Sequence, residues 1–299
     1  MIGALAAALV LLAPDARAHG LAPPGVDAGA LAFAPDPLVT TLLLVAAVAY
    51  AAGLSRLRAR AGRTAARLDA ATAAAFAGGW ALLALALVWP LDGLAGMALS
   101  AHMIQHVILI AAAPPLLLAG RPEVAFVWAM PRRARRATAR SSLFRAMRGV
   151  AQALNRPTLA AAAHGAAMWI WHAPALFDAA IADETLHTLE HVTFVATALW
   201  FWHAVMSARA PVVVGSALVG TLIAMIMSGF LGALLSFAPV PLYAAYNRGL
   251  FGFDVVEDQQ LAGLIMWVPA GLSYLAAALR LGTILLSAGA RATGTPPLR

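Results

Sequence analysis

The sequence predicts an all-α fold: a polytopic membrane helix bundle with seven transmembrane helices after a cleavable signal peptide. Three observations predict it. Hydrophobic residues make up 62% of the chain and charged residues 11%, with a mean hydropathy of +0.82, which places it among membrane proteins. Apolar runs near the length a bilayer demands recur seven times. The arginines gather in alternate connections between those runs, as orientation by positive charge requires.

In chain order, residues 1–18 form a short apolar run ending in Ala16-Arg17-Ala18, a small-x-small cleavage site, although a basic n-region is missing. Cleavage there leaves His19 at the mature N-terminus, ahead of a proline-rich external segment over 19–37. The membrane domain covers 38–281, with spans at about 38–54, 71–90, 98–118, 158–174, 187–206, 212–235 and 259–279. A tail over 282–299 completes the chain. Every basic residue is an arginine, and only Arg17 and Arg248 lie on the side opposite the rest. The N-terminus is therefore expected on the outside of the membrane and the C-terminus in the cytoplasm.

The formal charge of +7 would suit nucleic acid. Its placement suits anionic membrane lipid instead, so lipid is the expected contact and nucleic acid is not. The arginine-rich loop over 120–157 mixes Phe126, Trp128, Leu143, Phe144, Met147 and Val150 with arginines. It predicts one or two interfacial amphipathic helices divided at Pro131. Trp89, Trp169, Trp171, Trp200 and Trp202 fall near span ends, as in an aromatic belt. Small residues in the sixth span, among them Gly220, Gly229 and Gly232, predict close helix packing.

With orientation set, depth follows. His102 and His106 are four apart in the outer third of the third span, and His172 ends the fourth. His187 and His191, again four apart, open the fifth span around Glu190, and Asp258 opens the seventh. A single histidine at a span end is ordinarily an interfacial residue satisfied by water. Two pairs at helical spacing plus His172, all at one depth, point instead to an imidazole cluster facing the bundle interior. The chain has no cysteine, so a metal would take imidazole, carboxylate or methionine. Copper fits these donors and zinc fits most of them. His102, His106, His172, His187 and His191 are the candidate ligands. Glu190 and Asp258 are candidates for ligation or for orienting a ring. A hydrogen-bonded or proton-handling polar cluster is the alternative. Met168 lies one turn inward of His172 and is a weaker candidate, with core packing its ordinary role. His164 and His203, in the inner half, could pair across a haem, but haem is disfavoured against separate buried hydrogen bonds.

The segments HMIQHVILIAAAPPLLLAGRP (102–122), WHAPALFDAAI (171–181), HTLEHVTFVATALWFW (187–202) and DQQLAGLIMWVP (258–269) resemble the polytopic CtaG family of cytochrome c oxidase assembly factors. The resemblance implies a multi-pass protein of the bacterial plasma membrane that acts in maturation of a haem–copper oxidase and is not an enzyme. It implies copper as the metal handled, with an oxidase subunit and a periplasmic copper chaperone as partners. The family's histidines fall on His102, His106, His172, His187 and His191, and its acidic position in the last span on Asp258. Two other functions fit parts of the pattern. A copper or haem transporter would need a polar path through the inner half. An intramembrane zinc hydrolase would use His187-x-x-Glu190-His191, in which two histidines hold zinc and the glutamate activates water.

Overall fold

The computed structural model describes residues 35–60, 68–247 and 252–293, and every element within them is a helix. The signal peptide expected at 1–18, His19 and most of the external segment lie outside the described residues. Five helices are long and apolar enough to cross a membrane: α1 (Pro37–Arg60), α2 (Ala70–Leu87), the third run over Leu99–Ala119, α12 (Pro211–Phe237) and α13 (Val255–Thr293). The short α3 (Leu91–Ala95) joins α2 to the third run. The two other expected spans are helical. α9 (Pro157–Trp171) has 15 residues, and α11 (Glu184–Ser207) has 24 but carries Glu184, His187, Glu190, His191 and His203. The first falls short of the ~20 apolar residues a span needs, and the second is diluted by polar side chains.

The third run changes character part-way. α4 (Leu99–Val107) gives way to a π-helical turn over Ile108–Ala112 and then to α5 (Ala113–Ala119). Pro114 and Pro115 explain the change. Neither has an N–H, so the Ile110 carbonyl loses both the i+4 and the i+5 donor. The indole of Trp202, on α11, donates to that carbonyl at 2.8 Å. Trp202 is therefore a core residue, not part of an aromatic belt. Trp171 is likewise buried.

The arginine-rich loop folds as three helices where one or two were expected: α6 (Pro122–Ala129), α7 (Arg132–Arg140) and α8 (Ser142–Leu154). Pro131 makes the first break. Ser141 makes the second, accepting the Phe144 N–H as the N-cap of α8. Leu143, Met147, Val150 and Leu154 form an exposed apolar stripe on α8, spaced as an interfacial helix would have it.

Packing against the bundle is closest where side chains are absent. On α12 and α13, a Cβ added to Gly263 would stand 2.4 Å from the Gly232 carbonyl oxygen, and one added to Gly232 would stand 2.6 Å from that of Gly263. The two backbones touch, as small residues permit between membrane helices. α13 runs unbroken to Thr293, so much of the expected tail from 282 is helix. α10 (Pro174–Ala182) fills the connection between α9 and α11. The largest core lies among α4, α9, α10, α11, α12 and α13, with Met103, Met168, Phe177, Phe194, Phe201 and Tyr274 fully enclosed.

Replacing Trp202 by Phe keeps an aromatic ring but leaves the Ile110 carbonyl with no donor. We expect a loss of about 1–3 kcal/mol, seen as a lower thermal midpoint of the protein in detergent.

Candidate metal centre

Four chain segments meet at one end of the bundle: the start of α4, the end of α9, the start of α11 and the loop preceding α13. On α4, His102 and His106 stand on successive turns, their ring centroids 4.3 Å apart, and neither is exposed. α4 has no cap from its own Ala98. Asp258 of α13 supplies one, accepting from both the Ser100 N–H and its hydroxyl. A carboxylate there also meets the positive end of the helix dipole. Asp258, expected as a ligand or ring-orienting acceptor, is thus placed at the α4 N-terminus with its two oxygens on Ser100.

His172 follows the last residue of α9, where Pro174 prevents the helix from continuing. Its Nδ1 lies 2.7 Å from the Met168 carbonyl, which can only accept, so Nδ1 carries the proton and Nε2 carries the lone pair. Met168 therefore serves His172 through its main chain, while its side chain packs in the core. On α11, Asp183 caps the first turn by accepting from Leu186 N–H. His187 and His191 then stack one turn apart with centroids 4.2 Å apart, and Glu190 between them is fully buried.

These side chains converge. The His102 ring lies 5.5 Å from His187 and 6.3 Å from His191, centroid to centroid. His106 lies 5.7 Å from His191 and 5.3 Å from His172. His106 Nε2 is 3.5 Å from Glu190 Oε1. One ligand atom from each of His102, His187, Glu190 and His191 can be chosen so that all four fall within 4.8 Å of one another. A tetrahedral ion with bonds near ~2.1 Å holds its donors ~3.4 Å apart. Closing on an ion would therefore move each donor by under ~1 Å. Phe177 and Phe194 form apolar walls against His102, His106 and His172.

The cover of the cluster has no counterpart among the residues singled out by spacing. Tyr243 and Tyr246, from the loop joining α12 to α13, close this end of the cluster. The Tyr243 hydroxyl donates to the His172 carbonyl at 3.0 Å. The Tyr246 hydroxyl donates to the Ala95 carbonyl at 2.6 Å and sits 3.0 Å from His102 Nδ1. Burial pushes both phenols above their usual value, so both stay protonated. Tyr246 has one proton and gives it to Ala95, so the bond to His102 runs from Nδ1–H to the phenol oxygen. That assigns the His102 lone pair to Nε2 from the hydrogen-bond network. The loop is tied down by Asp178 of α10, which accepts from Ala244 N–H at 3.1 Å and Ala245 N–H at 3.0 Å. Gln259 of α13 adds two more bonds, to Leu242 N–H and the Val240 carbonyl. One signal was available: two of only four tyrosines fall in this short loop beside the polar ends of the spans.

The two inner-half histidines have separate hydrogen-bond partners. His164 is buried, bonded to the Tyr274 hydroxyl at 2.8 Å and stacked on Phe201. His203 is exposed with Nδ1 3.3 Å from Asn155 Oδ1. Each has its own partner.

The fold and site define a multi-pass membrane protein with an enclosed histidine–glutamate cluster at one end of its helix bundle. The family model for cytochrome c oxidase caa3 assembly factors matches residues 48–286, and the chain belongs to that family. The resemblance read from the four sequence segments is thereby established. No curated protein and no solved structure matches the chain.

Replacing Tyr246 by Phe preserves ring packing and removes both the donor to Ala95 and the acceptor for His102. We expect a loss of about 1–3 kcal/mol in thermal unfolding, because the Ala95 carbonyl loses its donor and His102 Nδ1 loses this acceptor.

Proposed function

We propose that this protein is a non-enzymatic assembly factor of the bacterial plasma membrane. It holds copper as cargo at the histidine cluster and aids delivery to a haem–copper cytochrome c oxidase. The observation that carries the reading is the gathering of five imidazoles and Glu190 from α4, α9 and α11 into one buried cluster. Membership of the assembly-factor family supports the oxidase as client. The donor chemistry supports copper, since imidazole and carboxylate bind it without thiolate. Zinc accepts the same donors, and the nature of the client favours copper. An oxidase subunit receives the cargo, and a periplasmic copper chaperone is its source.

The arginine asymmetry supports a periplasmic N-terminus, a cytoplasmic C-terminus and a cluster near the outer face. It also supports counting α9 and α11 as the two remaining crossings of seven. α9 packs against α12, where Gly220 lies against Ala161 and the Pro157 carbonyl. Inward of the cluster, Ala198, Phe201, Trp202 and Tyr274 fill the core, which favours a holding site over a transport path. The zinc-hydrolase spacing is present, yet Glu190 lies among ligand-type side chains, 3.5 Å from His106. That placement favours a carboxylate that binds over one that activates water.

The test is direct. Purified protein should retain copper through desalting, and the variant with His102, His106, His187 and His191 all replaced by Ala should retain none while eluting as a folded monodisperse species. Equal copper on both would exclude the cluster. Cells lacking the protein should keep the oxidase polypeptide with a copper-deficient centre. Metal uptake by vesicles carrying the purified protein would identify a transporter instead.

A further inference from the structure

We infer that the cluster is two adjoining metal sites sharing Glu190, and that the protein holds two copper ions. The inference rests on the copper-binding reading above. Six side chains supply donors, more than the three or four that a copper(I) or tetrahedral site uses. Four of them fall into one set within ligand reach, and His106 adjoins it, its ring centroid 4.3 Å from that of His102. His102, His187, His191 and Glu190 form the set whose ligand atoms lie within 4.8 Å of one another. His106 and His172 lie beside that set, with ring centroids 5.3 Å apart. The ring neighbours of His172 are His106, Phe177 and Phe194, so it lies beside His106 with apolar rings around it. Because Nδ1 of His172 is committed to Met168, Nε2 is the nitrogen it offers.

Glu190 belongs to both halves. It is counted in the first set, and its Oε1 is 3.5 Å from His106 Nε2. Among the described residues, no hydrogen bond reaches either nitrogen of His106, Nε2 of His172, or either oxygen of Glu190. Those are five buried polar atoms, two of them the oxygens of Glu190 itself, which native interiors do not leave unsatisfied without reason. A carboxylate with two available oxygens can bridge ions ~3.5–4 Å apart. The first ion would take His102, His187, His191 and one oxygen, and the second would take His106, His172 and the other.

Copper titration of the full chain in detergent, under anaerobic conditions with a copper(I) chelator as competitor, tests this. The wild-type protein should bind two ions. His106→Ala combined with His172→Ala should bind one, with the remaining affinity within about threefold of one wild-type step. Glu190→Gln, which keeps volume, should lower the stoichiometry to one or weaken the second step at least tenfold, and it serves if the double variant fails to fold. One ion on wild type, unchanged by the double variant, overturns the second site and leaves the copper-holding function standing. Two ions on Glu190→Gln with unaltered affinities overturns the shared carboxylate. No copper on wild type overturns both this inference and the function it rests on.

Discussion

A carboxylate enclosed by apolar helices must find its partners inside the protein, since a bilayer offers no water to take their place. Glu190 lies among imidazoles, with His106 Nε2 at 3.5 Å, although no hydrogen bond among the described residues reaches either of its oxygens. Much of the bundle follows from it. α11 must start at the same depth as α4, so Asp183 caps one helix and Asp258 caps the other. α9 must stop beside them, which the Ala173-Pro174 step enforces. The aromatic walls from Phe177 and Phe194 then keep the polar group confined to one compartment.

The same constraint acts on the backbone. Two consecutive prolines leave the Ile110 carbonyl without a helical donor, and Trp202 reaches across from α11 to supply one. This ties the middle of the third run to the helix that carries His187 and His191. The ends of these helices are thus registered by polar capping and their centres by an indole. The apolar core between them, with Phe194, Phe201 and Met103 fully buried, provides the bulk of the attraction.

The parts legible in the sequence were those written as local patterns. The i, i+4 spacing places His102 over His106 and His187 over His191 whatever the tertiary fold, and arginine placement aligns their depths. Partners that no spacing encodes were not legible. Asp258 reads as one more acid at a span end, and only the approach of α13 to α4 makes it a cap for Ser100. Trp202 reads as a belt residue by position, until the prolines of another helix give its N–H a task. Tyr243 and Tyr246 belong to a loop whose path depends on Gln259 of the following helix and on Asp178, far away in the chain. α11 shows the limit of hydropathy itself, because polar side chains gathered into a site lower a helix's mean hydropathy, whereas α9 falls short on length alone.

The loop over 240–246 has a kinetic meaning. Its backbone is pinned by Asp178 and Gln259, and both of its phenols are bonded into the walls of the chamber they close. Anything entering or leaving past it must first break several of these bonds together. On the proposed holding function, residence time at the cluster would then follow the opening of this loop as well as the strength of the innermost contacts.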